Sequence, residues 1–520
     1  MEEEEEIEEE EGERERLGCF FLTHTCGLGL AMLLLLLPCL LLLVVVLHSR
    51  GSKGSQNQLP PGPTPLPVLG NLLQLGPSSL DRRLMELSQR FGTVFTVHLG
   101  PQPFVVLSGA SALREALLLQ ADTFSGRGGM ASFDRCTQGK GIVFSNGHLW
   151  HTLRTFTVGS LKKLGIGTRS IAERIQEEAA ALIQELNLTR GAPFNPLYHI
   201  RNAVANVICS VVFGERYAYD DPNFRILLNL LNDNFQILSS QWGQMYNIFP
   251  SFLDWIPGPH HRIFSNFNKL QVFISEEIKK HEENRQPGEP QNFIDFFLDQ
   301  MEKEKKDPRS HFYKETLVMT THNLFFGGTE TTSTTIHYGL LILLKYLHVT
   351  EKIQEEIDTV VGRERSPSLQ DRDHLPYTNA VIHEIQRFIS VLPMGLPHIL
   401  TQDTHFRGHF LLKGTTILPL LISAHRDPTH FKDPENFNPE NFLDDKGAFQ
   451  NNDAFMPFAL GKRICLGAGL ARMEIFLFLT TILQSFTLCT VKRPEEIDLS
   501  PKSTGLGNVS PPYELRLKIR

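Results

Sequence analysis

Leu28 to Leu47 is a run of 20 residues without a charge. At about 1.5 Å of rise per residue, such a helix spans roughly 30 Å, the thickness of a bilayer's hydrocarbon core. Pro38 would kink a soluble helix, but a membrane helix tolerates it. A cleaved signal peptide would have a shorter apolar core, about 7–15 residues, ending in small residues. This run ends in Val44, Val45, Val46 and Leu47. Residues 17–47, with 28–47 as the core, therefore read as a retained single-pass anchor. Arg50 and Lys53 follow the span and an acidic stretch precedes it. Basic flanks stay cytoplasmic, so the body is expected in the cytosol, with Arg14 and Arg16 as weak opposing signals.

The net charge of −8 describes the tail more than the body. Residues 1–16 carry eleven Glu and two Arg, which leaves the remainder near neutral. Nucleic acid is not an expected partner, since no basic stripe is present. The Glu run cannot bury apolar surface and reads as a disordered tail. The alternative is translation from an upstream start codon, with no role. Seven Cys are scattered without a Cys-x-x-Cys pair, which excludes a disulfide framework. Residues 48–70 form a polar, then Pro-rich hinge. Its stretch Leu59-Pro60-Pro61-Gly62-Pro63-Thr64-Pro65-Leu66-Pro67 reads as a stiff extended spacer.

From residue 71 to 520 the chain reads as one catalytic body, mainly α with a small β portion. Thr93–Leu99 alternates, with Phe95, Val97 and Leu99 on one face. Gly100–Pro103 turns the chain and Phe104–Leu107 returns. Helical periodicity covers Ser170–Leu186, Val204–Phe213, Phe312–Leu347, Thr378–Phe388 and Leu470–Phe486. Irregular chain is expected over 391–465.

The chemistry concentrates at Phe458-Ala459-Leu460-Gly461-Lys462-Arg463-Ile464-Cys465-Leu466-Gly467, just before an apolar helix. A thiolate ligand is favoured near a helix N-terminus, with backbone N–H groups aimed at sulfur. Gly461 and Gly467 permit tight turns and close backbone approach. Arg463 can pair with a cofactor carboxylate. This stretch resembles the Phe-x-x-Gly-x-Arg-x-Cys-x-Gly loop of the cytochrome P450 superfamily and fills all its fixed positions. The resemblance implies the cytochrome P450 fold, preceded here by one N-terminal transmembrane helix. It also implies haem b (iron protoporphyrin IX) with Cys465 as the iron's sulfur ligand, a ligation that favours O–O cleavage.

Further motifs fall in the family's order. Phe325-Phe326-Gly327-Gly328-Thr329-Glu330-Thr331-Thr332 places two Gly in mid-helix, at about 1 kcal/mol each, which suggests that the backbone opens there for oxygen and water. The resemblance implies that Thr331 steadies iron-bound oxygen and that Glu330 assists proton entry. Gly327, the smaller residue allowed, suggests a wider pocket. Glu384 and Arg387 share a helix face at i, i+3 and match the family's buried Glu-x-x-Arg brace. Asn441, in Pro439-Glu440-Asn441-Phe442, stands where the family has Arg or His, so the brace is expected to bond differently. Haem propionate contacts are implied for Arg127, Trp150, Arg154, His398 and Arg463. Lys162, Lys163, Lys462 and Arg472 suggest a basic rim for an acidic electron donor.

Segments such as Tyr246–Pro250, Asp254–Pro259 and His322–Thr329 look like microsomal family 2, and most like its F subfamily. That implies an NADPH-dependent monooxygenase of the endoplasmic reticulum membrane, served by NADPH-cytochrome P450 reductase, with cytochrome b5 as a second candidate donor. It would insert one atom of O2 into small lipophilic xenobiotics, with fatty acids or steroids as further candidates. Substrate contacts are expected from 128–144, 225–245, 391–396 and 503–507. The competing readings are a haem-thiolate isomerase or dehydratase without a reductase, and a non-catalytic membrane haem-binding protein.

Overall fold

The computed structural model describes residues 59–76 and 79–520. The acidic tail, the anchor region and the first part of the hinge lie outside the described residues. Among the described residues, no helix is long and apolar enough to cross a membrane.

The early hairpin forms from β1 (Val94–Leu99) and β2 (Gln102–Ser108), with Leu99 opposite Gln102. The turn is therefore shorter than the sequence suggests. The strands also bury both faces. Phe95, Val97 and Val106 enter one apolar cluster, while Val94, Val105 and Leu107 enter another. The period-2 pattern sorted residues between two cores rather than between core and solvent. β3 (Gly126–Arg127), β4 (His398–Ile399) and β7 (Thr416–Leu420) complete a sheet of order β1-β2-β7-β4-β3. Only β2 and β7 run parallel. β5 (Thr404–Phe406) pairs with β6 (His409–Leu411), and β8 (Phe486–Thr490) with β9 (Leu515–Ile519). The stretch 391–465, expected to be irregular, thus holds four short strands. Their brevity hides them from periodicity.

The Pro-rich segment is extended but does not stand clear of the body. The Thr96 N–H donates to the Pro61 carbonyl (2.9 Å), and Asn71 Nδ2 donates to the Pro63 and Thr64 carbonyls. A Cβ on Gly62 would come 1.9 Å from the Thr96 oxygen, so only glycine lets the strands approach this closely.

The helices framing the site are α1 (Ala131–Thr137), α2 (Gly147–Lys163), α3 (Arg169–Asn187), α4 (Leu197–Val212), α5 (Pro222–Ser239) and α6 (His260–Asn284). They continue as α7 (Phe293–Lys303), α8 (Lys314–Lys345), α9 (Leu347–Val360), α10 (Pro376–Ile389) and α11 (Ala468–Ser485). α4 starts earlier than its periodicity suggests, because Arg201 and Asn202 are buried in its first turns and break the apolar pattern. α8 is the central element, buried on nearly every side and packed most extensively on α4. Thr316 fastens its start: its hydroxyl donates to either the His311 or the Tyr313 carbonyl and accepts from the Tyr313 N–H. The main core gathers around α3, α4, α8 and α11.

Candidate active site

Cys465 lies three residues before α11. Its N–H donates to the Phe458 carbonyl (2.9 Å), which folds the loop back on itself. Gly461 has φ 70°, and a Cβ there would strike the Leu117 carbonyl oxygen at 1.6 Å. That position admits only glycine. Gly467 differs: its φ is −85°, so no turn demands it, and a Cβ would sit 4.0 Å from the Cys465 sulfur. Its value is room beside sulfur. The sulfur is deep in the body, yet the residue faces open space rather than packed protein. Burial pushes the thiol up, while the N–H groups of Gly467 and Ala468 and the cations Arg154 and Arg472 pull it down. The upward push of burial is the larger, and the N–H groups and cations are the influences that favour a thiolate.

The expected propionate residues converge. Arg127 and His398 are direct register partners across β3 and β4. Arg463 lies with its guanidinium carbon 3.8 Å from the centre of the Trp150 ring. Arg154 donates to the Ile464 carbonyl (2.5 Å), beside the cysteine. Burial, then mutual repulsion, lowers the guanidinium pKa of Arg127 and of Arg463. An anion among these cations would relieve that repulsion. Two buried donors of this group have no hydrogen-bond partner among the described residues: Trp150 Nε1 and Arg463 Nη1. Buried donors of this kind call for an acceptor. His398 spends Nδ1 on the Phe124 carbonyl (2.6 Å), and burial holds its ring down to about 3. Its Nε2 can donate to a carboxylate only if the ring takes up a proton. Two unpartnered donors, a cysteine that faces open space and a repelling cation cluster fit a haem with two carboxylates.

Sequence reasoning missed Asn146. Its Oδ1 accepts from the Arg127 N–H (2.7 Å) and from Arg463 Nη2 (3.1 Å), and its Nδ2 donates to the Arg127 carbonyl. Asn146 precedes α2, where such residues are common caps, so nothing in the sequence marked it. His425 was also missed. Its Nε2 accepts from the Met456 N–H (3.0 Å) and its Nδ1 meets Ser390 Oγ (2.8 Å), which ties the cysteine loop to α10.

α8 stays helical through Gly327 and Gly328, so the expected backbone opening is absent. The room comes from the missing side chains instead. A Cβ on Gly328 would strike Ile208 Cδ1 of α4 at 2.4 Å, whereas one on Gly327 would meet nothing within 4 Å. Gly328 lets two helices close, and Gly327 faces open space. Thr331, one turn on, is partly exposed and donates to the Gly327 carbonyl (2.9 Å). Glu330 points elsewhere. It is 1% exposed and sits 3.2 Å from Arg201 Nε of α4. Burial pushes its carboxyl up, and Arg201 partly opposes this.

Glu384 and Arg387 are both fully buried and form two parallel 2.7 Å hydrogen bonds. Arg387 also donates to the carbonyls of His425, Pro434 and Asn436. The Asn438 N–H donates to Glu384 Oε1 (2.7 Å), while Asn441 Nδ2 stays at 3.4 Å from both oxygens. Backbone groups thus supply most of what a third cation would. The basic rim is only partly free: Lys462 pairs with Asp122, and Arg472 lies over the Phe458 ring (5.0 Å).

Four separate segments meet in one apolar cluster with Ile263 and Phe264 of α6. They are Met130 and Phe133, Phe235 and Leu238, Leu392 and Leu396, and Leu506, with Phe326 of α8 at their edge. These are the four segments expected to contact substrate.

A mainly helical body, a small mixed sheet and a cysteine loop at the head of an inner helix define a haem-thiolate type of protein. The cytochrome P450 family profile matches residues 60–517, and the chain belongs to that family. It is 51% identical to cytochrome P450 2F3 of Capra hircus over 91% of this chain and 96% of that one. It is 52% identical to cytochrome P450 2F1 of Homo sapiens (90% and 96%) and 49% to cytochrome P450 2B4 of Oryctolagus cuniculus (91% and 97%). This places it with microsomal family 2 and supports the F subfamily. A haem-thiolate cofactor and monooxygenase activity follow from the family.

Proposed function

We propose that the chain binds haem b through Cys465 and inserts one atom of O2 into small lipophilic substrates. Xenobiotics are the first candidates, with fatty acids and steroids as further classes. Electrons come from NADPH through NADPH-cytochrome P450 reductase, with cytochrome b5 as a second donor. The observation that carries this reading is the reachable Cys465 sulfur beside the unpartnered donors Trp150 Nε1 and Arg463 Nη1. When bound, the haem supplies oxygen activation. Arg127, Trp150, Arg154, His398 and Arg463 hold its carboxylates. Thr331 offers a hydroxyl at the open face of α8. Glu330, buried against Arg201 and with its carboxyl pushed up by burial, assists proton entry to the site. Glu384 and Arg387 keep the cysteine side rigid.

Localisation to the endoplasmic reticulum membrane, with a cytosolic body, rests on the Leu28–Leu47 run and on an apolar surface. Phe252 and Trp255 are 67% and 88% exposed, and Leu73 is 68% exposed. Gly100, in the β1–β2 turn, lies against Ile248 and Phe249, which sets that turn beside the segment that carries Phe252 and Trp255. Apolar patches of this kind mark membrane contact.

The test is the absorption spectrum of the reduced protein with carbon monoxide, for wild type and Cys465→Ser. A thiolate band in wild type that is lost in the variant is expected, and the same band in both overturns the ligation. Substrate-dependent NADPH and O2 consumption with reductase is the second arm. Turnover of a peroxide substrate without either would establish the isomerase or dehydratase reading instead.

A further inference from the structure

His322 on α8 is 4% exposed, and neither ring nitrogen has a hydrogen-bond partner among the described residues. It lies one turn before Phe326, with the two rings nearly parallel (9°) and their centres 6.0 Å apart. The Phe267 ring of α6 lies tilted against that of His322, with the ring centres 4.3 Å apart. Burial holds the ring down to about 4, so at neutral pH it is an uncharged imidazole with one donor and one acceptor. It lines a small cavity with Ser132, Phe133, Leu238, Phe267 and Phe326. That cavity has about 10 Å³ of free room, enough for roughly one water molecule or one polar ligand atom. Ser132 is already committed to Asn247, through both its N–H and its hydroxyl. Asn234, also at the cavity, accepts from Asn266 (3.1 Å). Cys136 adds a weakly polar thiol, which leaves His322 as the uncommitted nitrogen-bearing group in a wall otherwise made mostly of Phe133, Leu238, Ile263, Phe267 and Phe326. Phe326 and Phe133 belong both to this cavity and to the cluster where the four expected substrate segments meet.

A buried imidazole left unpaired on both sides is costly, and a wall built to hydrogen-bond a ligand discriminates strongly against analogues that lack the group. We propose that His322 is a specificity-determining residue: it selects small aromatic ligands bearing a hydroxyl or ring N–H over hydrocarbons of the same shape, directly or through one bound water. This rests on the monooxygenase reading above.

The test is spectral titration of the haem-loaded full chain with 4-ethylphenol and 4-ethyltoluene, which differ by hydroxyl for methyl. In His322→Leu the preference ratio is expected to fall about tenfold, through weaker phenol binding, while His322→Gln keeps most of it. An unchanged ratio in His322→Leu, or an equal loss for both ligands, overturns the inference. A wild-type crystal structure gives a readout independent of the variants: an ordered water or ligand polar atom within hydrogen-bond distance of a His322 nitrogen is expected, and a dry cavity overturns it. The carbon monoxide spectrum is recorded first on the same samples. Its failure removes the haem-thiolate reading, whereas a normal spectrum with an unchanged ratio removes only the role of His322.

Discussion

The Arg463 guanidinium lies 3.8 Å over the Trp150 ring, and each residue keeps one buried N–H without a partner among the described residues. Stacking keeps the two donors close together. A hydrogen bond to a charged acceptor is worth about 1.5–3 kcal/mol. Trp150→Phe keeps the aromatic face and deletes one donor. Its rate of haem loss to apomyoglobin should rise about tenfold or more. Arg463→Gln removes the charge as well and should lose haem faster still. Equal retention in Trp150→Phe and wild type would mean that the indole N–H serves no ligand.

Glu384 and Arg387 stand at 0% exposure, joined by two 2.7 Å bonds. Breaking a buried pair from one side leaves an uncompensated charge, at about 3–5 kcal/mol. Arg387→Met should therefore yield little folded protein. Asn441 Nδ2 makes only long contacts, 3.4 Å to each Glu384 oxygen, so Asn441→Ala should lower the melting temperature only slightly. Comparable losses in the two variants, measured by thermal unfolding, would contradict this ranking.

The site was more legible in the sequence than the fold. The cysteine loop packs its chemistry into ten consecutive positions, so its resemblance to the cytochrome P450 loop can be read from the sequence. The Glu384–Arg387 pair and the Trp150–Arg154 turn were visible because helical periodicity fixes which residues share a face. The sequence could not show that Glu330 turns away from Thr331 toward Arg201, since that depends on where α4 packs. Asn146 and His425 were invisible for a related reason: their partners, such as Arg463 and Met456, lie far along the chain. The short strands β3 and β4 have two residues each and carry no period to detect.

Gly327 and Gly328 are adjacent yet should respond oppositely to alanine. At Gly328 the new methyl collides with Ile208, and overpacking of this kind costs about 1–3 kcal/mol. Ile208→Val should restore part of the loss. At Gly327 the methyl meets nothing, and alanine favours helix over glycine by about 1 kcal/mol. Gly327→Ala should hold or raise stability while weakening binding of bulky ligands more than small ones. A ligand series of graded size, followed by spectral titration, checks this. Uniform binding across the series would place Gly327 outside the pocket.

His281 near the end of α6 meets Asp295 in the first turn of α7 at 3.0 Å. The hydrogen bond to Asp295 raises the ring above its ordinary value of about 6.5, against an opposing desolvation. A group whose folded pKa is raised stabilises the fold where it is charged. That stabilisation is fully present below about pH 6.5 and fades as pH rises through the folded value. His281→Gln keeps a neutral hydrogen-bonding side chain but cannot take the proton. The stability gap between wild type and variant should therefore be largest near pH 6 and shrink toward pH 8.5. Thermal unfolding across that range reads it directly. A gap that widens with rising pH would mean the ring acts as a neutral acceptor, with Asp295 satisfied by its bonds from the Gln291 N–H and Asn292 Nδ2 alone.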